Sequence, residues 1–366
     1  MSEFRGVSKI LVIKLRHIGD VLLTVPVFRA LRERFRQAHI AALVNSGTEQ
    51  VLAGNPLIDE IIVYDRSIKE MPLHRRYMRE LVFLRSVLSR GFDLTVDLTS
   101  GDRAALVSFL SGAEYRFACN PKGAGLCGKK YLYTHLAEMD SDRHMVIQNL
   151  DVTAQFGIST TDLRVDISIP EQDRRFAEEI FRGQHIAGAD RVVHIHPVAR
   201  WLFKCWKNEY MAEVIRRLIA RKVTVIVTSS PFERELRRAK EILALAGEHP
   251  RVVDLCGKTS IKQLAAISAA ADLFVGVDTA PMHIAAAVGT PVVALFGPTG
   301  EVQWHPWGEG HIVLTKKMRC WICAKGMCDN VPVRKCLEAI TPDEVMDAVD
   351  TVFARQSPEK HPGAFR

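Results

Sequence analysis

Leu273-Phe-Val-Gly-Val277 is an apolar run that ends abruptly at Asp278 and Thr279. A helix then opens with Pro281 in its first turn, where the missing N–H costs nothing. A second apolar run follows at Pro291 to Phe296. Strand, polar turn, helix and strand in this order form the unit of a parallel sheet, because parallel neighbours can be joined only by a crossover. The unpartnered N–H groups of the helix first turn, with the partial positive charge of its dipole, offer a seat for a phosphate or diphosphate. His283 adds a ring donor on the same turn. An ordinary capped helix in an α/β sheet is the alternative that this segment alone leaves open.

The same alternation runs through the chain. Lys9 to Leu15 reads as a buried strand, and Arg16-His-Ile-Gly-Asp20 as a turn opening a helix that reaches about Arg36. Pro26 predicts a kink or a late start within that helix. The strand His39 to Val44, the strand Glu60 to Tyr64, a helix around Arg75 to Leu88, the strand Leu94 to Leu98 and a helix from Asp102 continue the series. Periodicity weakens between about Phe156 and Asp190, around a charged helix from Glu171 to Arg182. A second series then has strands at Arg191 to Ile195, Val223 to Thr228, Val252 to Leu255, Leu273 to Val277 and Pro291 to Phe296. Ser260-Ile-Lys-Gln263 and Thr341-Pro-Asp-Glu344 are capping boxes that open helices. The expected fold class is therefore α/β, with two doubly wound domains and a ligand cleft between the carboxyl ends of their strands. The expected boundaries are 1–170, 185–340, a helix over 341–355 and a polar, Pro-containing tail over 356–366 that we expect to lack order. No internal repeat is visible in the sequence, only repeated architecture.

At 366 residues and 48% hydrophobic content the chain reads as soluble and long enough for two domains. No apolar run reaches the roughly 18 residues of a membrane span. Ile10 to Ile13, followed by Lys14 and Arg16, is too short for a signal-peptide core. The expected compartment is the cytoplasm, where the eight cysteines would be mostly thiols. A net charge of +7 suits an anionic partner without choosing among phosphate, nucleic acid and an acidic membrane surface.

Several constellations carry chemistry. Gly19 lets backbone approach a ligand and Asp20 places a carboxylate where a helix begins. It is either a helix cap or a general base that takes a proton from an attacking hydroxyl. Asp97 and Asp102, at another strand end, are the runner-up candidates for base. Arg200 and Lys204, within His196-Pro-Val-Ala-Arg200-Trp-Leu-Phe-Lys204-Cys-Trp206, stand after a strand where they would neutralise a diphosphate, with Trp201 and Trp206 as apolar walls. Cys320, Cys323, Cys328 and Cys336 follow a C-x2-C, x4, C, x7, C spacing. They fit a structural Zn²⁺, an iron–sulfur cluster, or a thiol-rich loop packed under the last helix. Gly123-Ala-Gly125-Leu-Cys-Gly128 matches a dinucleotide fingerprint but lacks its strand-and-helix setting, with Asn120-Pro121 before it and a β-like run, Lys129 to Thr134, after it. We read it as a flexible basic loop that, through Lys122, Lys129 and Lys130, would clamp an anionic acceptor or simply lie in solvent. The basic run His74, Arg75, Arg76, Arg79 and Arg85 is either a solvated helix face or an attraction to anionic headgroups.

Taken together these motifs resemble the lipopolysaccharide heptosyltransferases of glycosyltransferase family 9, over nearly the whole chain. Lys14-Leu-Arg-His-Ile-Gly-Asp-Val-Leu-Leu-Thr-Val-Pro26 is similar to the family's N-terminal motif, and Gly276-Val-Asp-Thr-Ala-Pro-Met-His283 to its donor-binding motif. Arg200 to Trp206 resembles most the subgroup adding the third core heptose. The resemblance implies the GT-B architecture of two facing Rossmann-like domains and inverting transfer from ADP-L-glycero-D-manno-heptose to the inner core. It implies Asp20 as base and Lys204, with Arg200, at the donor phosphates. Asp278, Thr279, Ala280 and His283 would form the donor turn, Glu233 would reach the ribose and Thr259 would flank adenine. Ala280 departs from members with glycine there. Arg16, Lys122, Lys129 and Lys130 are the expected acceptor contacts. The expected partners are ADP-heptose, an anionic lipopolysaccharide inner-core acceptor and the inner face of the inner membrane, touched peripherally, with no nucleic acid. No carboxylate pair is placed for a metal, so this reading requires no cofactor. Alternatives are a GT-B transferase using another nucleotide sugar and a non-catalytic nucleotide-binding protein.

Overall fold

Strand and helix alternate through both halves of the computed structural model, which describes residues 4–184, 190–297, 299–316 and 335–356. The chain forms two compact units, Met1–Ser168 and Ile169–Arg366. The first holds β1 (Lys9–Lys14), α1 (Ile18–Leu22), α2 (Val25–Arg34), β2 (His39–Asn45), β3 (Glu60–Tyr64), α3 (Leu73–Leu88), β4 (Leu94–Asp97), α4 (Asp102–Leu110), β5 (Tyr115–Cys119), β6 (His135–Ala137) and α5 (Met145–Ala154). Its six strands are parallel, in the order β3-β2-β1-β4-β5-β6.

The second unit opens with α6 (Glu171–Gly183), the charged helix of the weakly periodic stretch. It continues through β7 (Val192–His196), α7 (Asn208–Ala220), β8 (Thr224–Ser229), α8 (Glu233–Ala246), β9 (Val252–Cys256), α9 (Ile261–Ala270), β10 (Leu273–Val277), α10 (Ala280–Ala287), β11 (Val292–Phe296), α11 (Glu301–Trp304), β12 (Ile312–Thr315), α12 (Lys335–Glu338) and α13 (Pro342–Arg355). The sheet order β12-β11-β10-β7-β8-β9 is the order of the first sheet, strand for strand. Both are doubly wound, with a topological switch point beside β1 and β4 in one and beside β7 and β10 in the other.

The residues account for the elements. β7, β10 and β11 are buried along their whole length, as strands covered on both faces must be. Ser260 and Thr341 both form the reciprocal capping boxes expected of them. The helix expected to open at the Arg16–Asp20 turn and reach about Arg36 is broken at Leu23 and Thr24, and Pro26 occupies the first turn of the second piece. Lys129 to Leu132, read as β-like, is a turn of 3₁₀ helix, and the strand comes just after it at His135. Local β propensity lost there to the left-handed Gly128, which starts a tight turn.

Trp206 is not an apolar wall of a ligand site. It is 1% exposed in the core of the second unit, and its indole N–H donates to the carbonyls of Leu337 (3.0 Å) and Ile340 (3.1 Å). The indole thereby pins the segment that leads into α13. Trp206→Phe keeps most of the ring and removes the donor, so we expect a loss of about 1–3 kcal/mol in denaturant unfolding. An unchanged midpoint would mean that packing alone holds that segment.

Candidate functional site

Each switch point gathers polar side chains where an apolar strand ends. In the first unit Lys14 is the last residue of β1 and is 4% exposed. Its ammonium donates to the Leu98 carbonyl (2.8 Å) and to Asn149 Oδ1 (2.9 Å). Burial lowers its pKa to about 8, against the pull of the nearby acids, Asp20 foremost. Asp20 stands in the first turn of α1, half-buried; His17, not Asp20, is the residue before that helix. Among the described residues no hydrogen bond or ion pair holds the Asp20 carboxylate.

The runner-up acids are structurally employed. Asp97 is fully buried, which raises its pKa, and it accepts from Tyr133 Oη (2.5 Å) and the backbone N–H groups of Thr99 and Ser100. Asp102 accepts from the Leu126 N–H (2.9 Å) and pairs with Lys129 (3.2 Å).

Those contacts correct the reading of the glycine-rich loop. Lys129 is 4% exposed, and its ammonium also donates to the Ser100 carbonyl, so it ties the loop down instead of offering charge to a ligand. Gly125 makes this knot possible: a Cβ there would stand 2.2 Å from Asp102 Oδ1 and 2.5 Å from Lys129 Nζ. Lys122 pairs with Glu138, and Lys130 lies over the Tyr131 ring. Arg16 donates to the Thr99 carbonyl at 3.0 Å and lines a cavity of about 310 Å³ at the strand ends. Arg66 and Arg103 line the same cavity, and sequence reasoning missed both. Arg103 is held by Glu80 (2.5 Å) and lies 4.3 Å over the Tyr64 ring.

In the second unit, β7 and β10 run side by side with Gly276 opposite His196. A Cβ on Gly276 would meet the His196 carbonyl at 2.9 Å and the Phe274 ring at 2.7 Å, so the motif glycine lets these strands close up. Asp278, 5% exposed, accepts from Lys204 (2.7 Å) and from Thr299 Oγ (2.6 Å). Thr279 precedes α10 without making a side-chain cap; Pro281 has no N–H and the Met282 N–H donates to the Thr279 carbonyl (3.1 Å), so Ala280 offers the first-turn donor for an anion. Ala280 and Pro281 begin the helix, and His283 is buried in its first turn at 4% exposure.

Behind the ion pair a chain of neutral hydrogen bonds runs from Ser268 through His194 and Thr228 to His196, with links of 2.9, 2.7 and 2.9 Å. Burial lowers both histidines to about 3, so they hold the strands without adding charge. Glu233 begins α8 but is 86% exposed and paired with Arg237. Glu235, two residues on, is 7% exposed; burial raises its pKa while Ser230 and Arg200 pull it back. The acid buried near Arg200 is therefore Glu235, a residue that pattern reading passed over. Arg200 itself is exposed beside Trp201, and Thr259 is half-buried in the turn after β9. Cys320, Cys323 and Cys328 lie outside the described residues, and Cys336 is a partly exposed cysteine of α12. Among the described residues no group of three His, Cys, Asp or Glu side chains could hold a metal ion, and no helix is long and apolar enough to cross a membrane.

Residues 81–333 match the sequence profile of glycosyltransferase family 9 (heptosyltransferase). Lipopolysaccharide heptosyltransferase 3 of Escherichia coli K12 is 31% identical over 358 residues, covering 94% of this chain and 98% of that protein. A family 9 glycosyltransferase from Veillonella parvula superposes with a TM-score of 0.80 at 23% identity, over 95% of this chain and 98% of its own. The E. coli heptosyltransferase WaaC, solved with ADP-2-deoxy-2-fluoro heptose, superposes with a TM-score of 0.72 at 18% identity, over 94% and 99% of the two chains.

The buried Lys14 makes a pH-dependent contribution whose sign is fixed. Its pKa falls from 10.5 in the unfolded chain to about 8 when folded, so between these values the unfolded state binds more protons. Stability should therefore rise with pH through that window, by up to about 3 kcal/mol relative to a Lys14→Met variant. Urea unfolding of both proteins at about pH 7.5 and about pH 10 measures it. Parallel changes in the two proteins would show that the ammonium is hydrated after all.

Proposed function

The chain belongs to glycosyltransferase family 9, the heptosyltransferases, and on that footing we propose how its residues divide the transfer of a heptose onto the lipopolysaccharide core. The protein is a glycosyltransferase with the α/β fold of two parallel six-stranded sheets shared by GT-B heptosyltransferases. Its 31% identity to heptosyltransferase 3 over nearly the full chain supports transfer of the third core heptose.

The second unit takes the donor. The observation that carries this reading is the Lys204–Asp278–Thr299 cluster at the β7/β10 switch point, beside the uncapped first turn of α10. An ADP diphosphate seated there receives an ammonium from Lys204 and the backbone N–H groups of Thr279 and Ala280, with Arg200 at the edge. Thr279, Ala280 and His283 shape that turn. Thr259 and Glu233 stand after β9 and β8, where an adenosine would extend along the strand ends. WaaC, solved with an ADP-heptose analogue, supports this choice of nucleotide.

The first unit takes the acceptor. Arg16, Arg66 and Arg103 line one cavity, a setting for the anionic groups of an inner-core saccharide. Lys122 and Lys130 are exposed in the loop whose Lys129 pairs with Asp102 of the cavity lining, and add peripheral charge. The acceptor hydroxyl attacks the anomeric carbon from the face opposite ADP, and Asp20 takes its proton. The bond from that carbon to the diphosphate oxygen breaks with inversion, and the charge left on ADP is met by Lys204 and the α10 first turn. No step is routed through a metal. A lipid-linked acceptor brings the protein to the inner face of the inner membrane as a peripheral enzyme.

Two variants separate the roles. Asp20→Ala should lower turnover about 10²- to 10⁴-fold with ADP affinity retained, as removal of a general base does. Turnover near that of the parent protein would remove Asp20 from the chemistry. Lys204→Ala should weaken ADP binding in calorimetry, and the parent affinity should fall as salt is raised. Unchanged ADP affinity would take Lys204 out of the donor seat.

A further inference from the structure

α3 packs on the first unit through Phe83, Leu84 and Val87. Its opposite face is unlike a solvated one. Leu73, Tyr77, Met78, Leu81 and Val82 are each at least 60% exposed. They follow the four-residue spacing of neighbouring helical rows, 73-77-81 beside 78-82, and so form one apolar surface. His74, Arg75, Arg79 and Arg85 are exposed on the same face or its edge. Glu80 is the helix's single acid, and it is turned inward to Tyr64 Oη (2.8 Å) and Arg103 (2.5 Å). The outward face thus combines large apolar side chains with cations and carries no carboxylate.

Exposed apolar surface of this extent marks an interaction site. With basic flanks and no acid, its complement is an anionic, partly apolar surface. A second copy of the chain is a worse match, since pairing this face with itself sets arginine against arginine with no acid to compensate. We propose that α3 lies in the plane of an anionic bilayer surface, its apolar rows in the headgroup–acyl boundary and its arginines on lipid phosphates. Glu80 then links the membrane-seated helix to Arg103 in the arginine-lined cavity, so lipid binding sets that cavity's height above the bilayer. This consequence for catalysis, unlike the lipid contact itself, rests on the acceptor reading above.

The test uses the full chain and sedimentation with phosphatidylcholine vesicles, with and without phosphatidylglycerol. The parent protein should bind the anionic vesicles and not the neutral ones. Changing Tyr77, Met78, Leu81 and Val82 together to Ser should cut partitioning at least about tenfold with the melting temperature preserved. Arg75→Gln, Arg79→Gln and Arg85→Gln should each cost about fivefold and flatten the salt dependence. The serine variant should transfer heptose to a delipidated core acceptor as the parent does, and more slowly to the same core embedded in vesicles. Equal partitioning of parent and variants overturns the proposal. So does light scattering that finds a parent dimer converted to monomer by the serine changes, which would make this face a self-interface. Binding to anionic vesicles by a chain inactive on both acceptors would overturn the acceptor reading alone.

Discussion

A parallel strand buried on both faces has room for polar groups only where it ends, and that constraint organises both units. β1 is apolar from Ile10 to Ile13 and releases its first charge at Lys14; β10 is apolar to Val277 and releases its first at Asp278. Both charges fall at a switch point, where the crossovers leave in opposite directions and no helix covers the strand ends. Removing an ion from water costs several kcal/mol, so neither group is retained cheaply. Lys14 is compensated by a carbonyl and an amide oxygen, Asp278 by an ammonium and a hydroxyl. The polar ends of the sheets are thus built in before any ligand arrives.

The two units share a strand order and differ in what fills the switch point. In the first, positive charge dominates: Lys14 below, with Arg16, Arg66 and Arg103 around a cavity. The acids nearby are already satisfied, Asp97 by Tyr133 and two backbone N–H groups, Asp102 by Lys129 and Leu126. Asp20 stands apart from them as a carboxylate without a hydrogen-bonding partner among the described residues, in keeping with the proton-acceptor role proposed for it. In the second, the buried histidines are neutral, and Lys204 and Asp278 form an ion pair next to a helix N-terminus. One topology thus supplies two different environments, which the division of labour proposed above assigns to a hydroxyl nucleophile and a diphosphate leaving group.

Much of the fold was legible because periodicity reports it. Glu60–Tyr64 and Leu273–Val277 occupy the ranges read from sequence, and the caps at Ser260 and Thr341 form as their side chains dictate. β5, β6 and β12 went unread: they are short and partly exposed, so they present no clean period. Where a motif named the end of a strand, as at Asp20, Lys204 and Asp278, the structure puts the residue in the segment that follows β1, β7 and β10. The candidate site was not legible where the outcome turned on which of several polar residues faces inward. Glu233 and Glu235 share one helix turn, and only packing distinguishes the exposed one from the buried one. Lys129 looked like its neighbours Lys122 and Lys130 until Asp102 and the bare Gly125 claimed it. Trp206 lies close in sequence to charged loop residues, yet its ring belongs to the core, a three-dimensional fact that adjacency cannot carry.

In the donor seat proposed above, Lys204 is a cation already bonded to a carboxylate that must also receive a diphosphate. An ammonium has three donors, and Asp278 and the phosphates need not compete for one. Thr299 also stays on Asp278, so the carboxylate keeps a donor if the lysine swings part of the way toward the ligand. Losing both would leave a buried, unpaired charge, at a cost far above that of a stretched hydrogen bond. The carboxylate therefore holds the ammonium in place before the ligand binds, sparing the entropy of ordering a long side chain at that moment. Arginine in the same position would bring a planar fork suited to one fixed bidentate partner. A lysine, as a point charge, can face the carboxylate and, in the proposed donor seat, a phosphate at once.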